Sequence, residues 1–326
     1  MLNRIEEQQP ETLKLHAPVP LALHPAAVYL DSLGSDRSKA TMVAGLDIMA
    51  KLLTNGECGA MTLNWAALRY RHTAALRSAL EKKYAPASVN QMLCALRRVL
   101  KEALRLDLID SQDYSKAVDV KSIKQSGKPR GRALSPHEIA ALMTSCSGNS
   151  SVDVRDTALI AILRGGGIRR AEAVNLDSAD FNLSTGALEI REGKGKKDRT
   201  VYLPGPALAL VEKWLNLRGE EPGPLLFPIR KGGEIQFRRM TDDGVLKILQ
   251  RRAQLAGVDS FSPHDFRRRF CSDLLDAGVD IVTVQKLAGH ASPVTTACVR
   301  SPGRRNETTG PAALRVLILR VKVRFV

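Results

Sequence analysis

Ser262-Pro263-His264-Asp265-Phe266-Arg267, followed by Leu287-Ala288-Gly289-His290, is the stretch from which the rest of this chain is best read. Proline favours the first turn of a helix, and side chains three apart share one face. An imidazole (His264) and a guanidinium (Arg267) therefore point the same way, close to a helix N-terminus whose free N–H groups favour an anion. These residue types suit one wall of a phosphate site. A helix cap beside an incidental surface arginine explains the same six residues.

The 326 residues are 44% hydrophobic and 25% charged, which is ordinary globular usage and enough chain for two domains. A net charge of +15 suits a polyanionic partner, nucleic acid or an anionic membrane. No run is long and apolar enough to span a bilayer. Met1 to Pro10 is polar and acidic, unlike a secretory signal. The five cysteines are odd in number, scattered and never spaced CxxC, which points to a reducing cytoplasm and away from disulfides or a zinc module. His-plus-carboxylate clusters at metal spacing are absent, and adjacent His264 and Asp265 point apart.

Residues 1–22 read as a leader and 23–110 as helices throughout. Ser35 caps a helix running to about Leu53. The clearest helix begins after Ser88, where Val89, Met92, Leu93, Leu96, Val99, Leu100 and Ala103 fall on one stripe. Arg97, Arg98, Lys101 and Arg105 fall off it, as a solvated face or a face for phosphates. From residue 111 the chain reads as a connection, with a basic linker over 116–133. Lys121, Lys124, Lys128, Arg130 and Arg132 stand there among Gly127, Pro129 and Gly131, without an acidic residue from Lys121 on.

A second domain covers 134–298. Ser135 with Glu138 forms a capping box. A helix over about Val152 to Leu163 ends at Gly165-Gly166-Gly167. Ile168-Arg169-Arg170-Ala171-Glu172 opens the next, and Glu172 stands where it can hold Arg169, although such pairs are usually routine surface ion pairs. Ala187 to Arg191 and Thr200 to Leu203 alternate as hairpin strands. Their connection, Gly193-Lys194-Gly195-Lys196-Lys197-Asp198, is a soluble loop or a tip that carries a lysine to a phosphate. Helices follow near Ala207–Leu217, Thr241–Ala256, from Pro263, and over Ile281–Leu287. The expected class is mainly α with a small antiparallel β-sheet (α+β).

Taken in order, Gly167-Ile-Arg169-Arg-Ala-Glu172, Gly193-Lys194-Gly-Lys-Lys-Asp-Arg199, Ser262-Pro-His264-Asp-Phe-Arg267, and Leu287-Ala-Gly-His290 with Thr295-Thr296 resemble the tyrosine recombinase (phage integrase) family, and its Xer-like site-specific integrases in particular. The resemblance implies an all-helical core-binding (SAM-like) domain over 23–115, a catalytic domain over 134–298, a cytoplasmic protein of a mobile element, and double-stranded DNA held between the two domains. It implies DNA cleavage and rejoining through a 3′-phosphotyrosine, without metal or cofactor, in tetramers. Breaking a phosphodiester concentrates negative charge on the phosphoryl oxygens, and arginine forks bind such oxygens while staying charged. Arg169 and Arg267 would be those clamps. Lys194 would protonate the 5′ leaving oxygen, His264 would assist as acid/base, His290 would hydrogen-bond the scissile phosphate, and Glu172 would support Arg169. Lys196 joins Arg97, Arg98, Lys101, Arg105 and the linker cations as expected DNA contacts. Arg268 stands where many relatives have His, and Ala288 where many have Gly.

One departure goes further. The family's tyrosine follows its last histidine by nine residues, and nine past His290 is Val299, which cannot attack phosphorus. The tyrosines are 29, 70, 84, 114 and 202, and Tyr202 reads as a packing residue of the hairpin. Beyond stands Arg300-Ser-Pro-Gly-Arg-Arg and an apolar, basic, β-prone run from Leu314 to Val326. It does not supply the C-terminal helix by which relatives dock into neighbours. Residues 299–308 admit codons that, read one base later, give Tyr-Asp-Arg-Arg-Gly-Glu-Glu-Thr-Lys-Arg, much like the family's own continuation. One inserted base between codons 298 and 299 would explain both the valine and the tail. A codon other than GTA at Val299 excludes this. The alternatives are a non-catalytic DNA-binding protein, a type IB topoisomerase, or a ribonuclease in which an RNA 2′-OH attacks.

Overall fold

The computed structural model describes residues 13–124, 131–193 and 197–297. The chain divides into two compact units, Met1–Lys128 and Pro129–Val326.

The first unit is helical: α1 (Pro25–Asp31), α2 (Asp36–Leu53), α3 (Tyr70–Lys83), α4 (Pro86–Arg105) and α5 (Ser111–Val118). Ser35 caps α2 by accepting from the Ser38 N–H at 3.2 Å. The α4 helix starts at Pro86, earlier than the Ser88 signal suggests, because proline's fixed φ already fits the first helical position. The expected stripe of α4 is buried and packs with Leu46, Met49, Trp65 and Leu80. Each fully buried Val, Leu or Met there contributes roughly 1.5–3 kcal/mol. The α5 helix corrects the reading of a connection from residue 111. Asp110 accepts from the Gln112 and Asp113 N–H groups, both at 2.9 Å, and nucleates a helix in a polar stretch.

The second unit runs α6 (Pro136–Thr144), α7 (Ser151–Gly166), α8 (Arg170–Asn175), β1 (Phe181–Asn182), β2 (Ala187–Gly193), β3 (Lys197–Tyr202), α9 (Gly205–Arg218), α10 (Asp242–Leu255), α11 (Pro263–Asp276), α12 (Ile281–Ala288) and α13 (Pro293–Ala297). The sheet is antiparallel in the order β1-β2-β3, so the expected hairpin gains a short third strand. Leu188 faces Val201 and Ile190 faces Arg199, and the register shifts between Ile190 and Gly193.

Helix α7 is buried on nearly every side and forms the centre of the core, with Trp214 of α9 and Leu249 of α10 in the same cluster. Contrary to the expectation, Gly165 and Gly166 do not end it. They remain helical and let Leu203, Pro204 and Val201 pack close. Only Gly167 takes the left-handed cap, at φ 56°. A Cβ there would lie 2.2 Å from the Phe270 ring, so α11 packs on bare backbone at the point where α7 stops. A smaller cluster, Phe270, Cys271, Leu274, Val284, Leu287 and Ala288, joins α11 to α12, and Tyr202 packs against it. Among the described residues no helix is long and apolar enough to cross a membrane.

Candidate phosphate site

Three chain segments far apart in sequence meet where α7 ends. The Gly167 carbonyl, freed by the helix terminus, accepts from Arg267 Nη1 at 2.9 Å. Two residues on, the Arg169 N–H donates to Glu172 Oε2 at 2.7 Å, and Arg169 Nη1 pairs with Oε1 at 2.6 Å. Arg169 Nη2 donates to the Gly289 carbonyl, next to His290. Arg267, Arg169 and His290 are thus joined through the backbone of Gly167 and Gly289.

Glu172 serves two arginines. Arg199 of β3 forks onto it, Nη1 to Oε1 at 3.0 Å and Nη2 to Oε2 at 2.6 Å, and its Nε donates to the Leu287 carbonyl at 3.0 Å. Gly289 ends α12 at φ 62°, and a Cβ there would stand 3.0 Å from Arg199 Nη1. One carboxylate therefore ties α8 to the hairpin, and one guanidinium ties the hairpin to α12. Burial alone would raise the Glu172 pKa. The hydrogen bonds from Arg199 and from the Arg169 backbone and side chain reverse that and hold it at about 2. This is a buried three-way ion cluster rather than the routine surface pair that its spacing suggested.

Arg267 is 1% exposed, and its Nε and Nη2 are buried with no hydrogen-bond partner. Buried donors are rarely left unmet, and a charged group makes the cost larger. Burial, then the Arg169 charge, bring its pKa down to about 10, so it stays cationic at neutral pH. Desolvation, then Arg267, Arg169, His264 and Arg199, lower His290 to about 4. Desolvation, then Arg267 and Arg268, lower His264 as well, although that side chain keeps contact with solvent. Groups that act on one another in this way lie close together, in surroundings that are strongly positive. His290 is fixed further by Nδ1 to Thr296 Oγ1 at 2.9 Å and by Gln285 Nε2 donating to its carbonyl at 3.0 Å. Two neutral imidazoles and two guanidiniums with unmet donors among them can accept an anion and exchange protons with it.

Of the expected site residues, the structure brings together Arg169, Glu172, His264, Arg267 and His290. Lys194, Lys196, Lys128, Arg130 and Val299 lie outside the described residues. Lys121 and Lys124 are exposed on the first unit. Four of the expected DNA contacts have partners within their own units. Arg97 donates to the Val120 carbonyl, and Arg98 and Arg105 lie against buried Glu102, with Arg105 Nη1 at 3.0 Å. Arg132 pairs with Glu138 at 2.6 Å, and its N–H donates to buried Asp265 at 3.0 Å. Arg97 meets a neutral carbonyl and Arg98 and Arg105 share one carboxylate, and of the α4 set only Lys101 stands exposed without such a partner. Arg199 was missed as a site residue. Its signal was the strand's period of two, which puts it on the same face as buried Val201. No three His, Cys, Asp or Glu side chains cluster as metal ligands among the described residues.

The profile of the phage integrase family matches residues 132–299, which takes in every element of this site. The chain belongs to the phage integrase family. It is 32% identical to tyrosine recombinase XerD of Pseudomonas aeruginosa over 223 residues, 67% of this chain and 72% of that protein. It is 31% identical to tyrosine recombinase XerC of Alcanivorax borkumensis over 245 residues, 71% of this chain and 75% of the relative. A lambda integrase (75-356) dimer bound to a COC' core site has the same fold, with a TM-score of 0.65 at 15% identity over 91% of this chain and 99% of the other. The Tn1549 transposon integrase in complex with transposon right end DNA gives a TM-score of 0.65 at 14% identity, over 92% and 99%. The mainly helical integrase fold with its small antiparallel sheet is therefore the one the motifs implied.

Proposed function

We propose that this integrase-family chain binds duplex DNA at a scissile phosphate and, as written, does not cut it. The observation that carries the reading is buried Arg267, with two donors unmet, in the electrostatic neighbourhood of Arg169, His264 and His290. A phosphodiester supplies the charge and the acceptor oxygens that these groups lack. Arg169 and Arg267 hold the phosphoryl oxygens, His290 hydrogen-bonds one of them, and His264 moves a proton. Lys194, between β2 and β3 in the sequence, serves as general acid to the 5′ oxygen. Glu172 and Arg199 position Arg169 and His290. Residues 23–115 act as the core-binding domain, and 134–298 as the catalytic domain. Exposed Lys101, Lys121 and Lys124 add backbone contacts.

The attacking group is what the sequence lacks. Position 299 is valine, and no tyrosine follows Tyr202. The family match runs to that same position. The sequence of codons 290–326 tests the frame directly. The protein itself is tested with a nicked suicide duplex. The chain retains the duplex with steep loss of affinity as salt rises, and forms no covalent adduct. An adduct resistant to denaturant would show a nucleophile and overturn the cleavage-defective reading, and binding indifferent to salt would overturn the phosphate clamp.

A further inference from the structure

The second unit carries another cationic hollow. A cavity of about 770 Å³ lies between the start of α7, the C-terminal half of α10 and the turn over 229–233. Its rim holds exposed Lys231, Lys247 and Arg251, none of which has a hydrogen-bond or ion-pair partner among the described residues. Lys247 and Arg251 stand four apart on α10, an arrangement of like charges that disfavours the helix carrying them. Asp153, the carboxylate in the lining, is taken up by Arg252 at 2.8 Å and by Ser150, and neighbouring Glu234 by Arg230 at 3.2 Å. The floor is apolar, with Ile229, Ile248 and Leu255, and Leu255 is 61% exposed. The hollow is built firmly. Arg252 Nε bonds Asp156 at 2.7 Å, and Arg155 bonds the other oxygen of that carboxylate, which locks α10 to α7 beneath it.

We infer that this hollow docks an acidic segment of a partner protein that also presents one or two large apolar side chains. Charge complementarity selects the acidic class, because three unanswered cations surround the opening. The exposed leucine and isoleucine floor selects an amphipathic peptide over a nucleic-acid backbone, which has no apolar group to place there. Position separates the hollow from the phosphate pocket. The fourteen helical steps of α7 from Asp153 to Gly167 span about 20 Å. The inference holds whether or not the chain cuts DNA.

The test uses the full chain and a fluorescein-labelled helical peptide, acidic on one face with Leu and Phe four apart on the other. Fluorescence anisotropy should show binding that weakens with salt. K247E/R251E should weaken it at least about tenfold. Leu255→Ser should weaken it too, while a peptide with lysines in place of the acids should not bind. Duplex DNA affinity should be the same in K247E/R251E as in the parent chain. No binding of the acidic peptide, or binding untouched by both variants, would overturn the inference. A matching loss of DNA affinity in K247E/R251E would assign the hollow to DNA and overturn it as well. Should the double variant fail to fold, Lys231→Glu and Leu255→Ser carry the same comparison.

Discussion

At the scale of the residue, Glu172 decides the most. It is the only carboxylate bonded to both Arg169 and Arg199 among the described residues, and it is buried. Removing one partner of a buried ion pair leaves the other charge unanswered and costs about 3–5 kcal/mol. Glu172→Gln should therefore lower the stability of the second unit by about that amount, read as a fall in the urea midpoint at constant slope. Arg169→Lys should be milder in stability but should weaken duplex binding, because an ammonium cannot fork onto two oxygens. Acid should act on the histidines first. The folded His290 pKa of about 4 lies below the unfolded value of 6.5, so the unfolded chain binds more protons between them. Stability is then full above the unfolded value and is lost as pH falls from 6.5 toward 4. Glu172 adds a second loss lower down, from 4.5 toward 2, since its folded pKa is also depressed. Melting temperature measured from pH 7 to pH 4 should show the first fall, and His290→Gln should flatten it.

At the scale of the element, the cap signals were readable because they are local. Ser35, Ser135 and Thr241 each cap the helix that their position announced. The hairpin was readable from its alternation. Helix α5 was not, because a polar stretch without an apolar stripe says little until Asp110 is seen to bond two backbone amides. The charged residues were harder still. Arg97 and Arg132 look like free cations in sequence, and only the fold shows a carbonyl and a carboxylate beside them. The site's motifs were legible as residue types at fixed spacing. That Glu172 is shared with Arg199, across 27 positions of chain, was not, since nothing local records it. Gly167 is the element-scale prediction. Its positive φ and the Phe270 ring at the Cβ position oppose any side chain. Gly167→Ala should cost about 2–5 kcal/mol, the sum of a left-handed backbone penalty and overpacking. Chemical denaturation measures it, and Phe270→Leu should relieve part of the overpacking.

At the scale of the whole molecule, a surplus of fifteen positive charges gives long-range attraction for a polyanion but no selectivity. On the proposed reading, selectivity for a single phosphate comes from Arg169, Arg267, His264 and His290, whose charges are concentrated and partly dehydrated. Much of the remaining arginine is structural. Arg155, Arg218 and Arg252 are buried and bonded inside the second unit, and Arg164 and Arg269 both hold Asp273 on α11. Net charge therefore overstates the number of cations left for a ligand, and the salt slope of DNA binding should report the smaller number.

The two unpartnered guanidinium nitrogens of Arg267 have a calorimetric consequence. A phosphate that accepts from them binds the folded chain, and whatever binds the native state alone displaces the unfolding equilibrium. Saturation at a hundred times the dissociation constant is worth about 2.7 kcal/mol. Scanning calorimetry with a short duplex present should move the endotherm upward, and Arg267→Gln, which removes the guanidinium, should shrink that displacement.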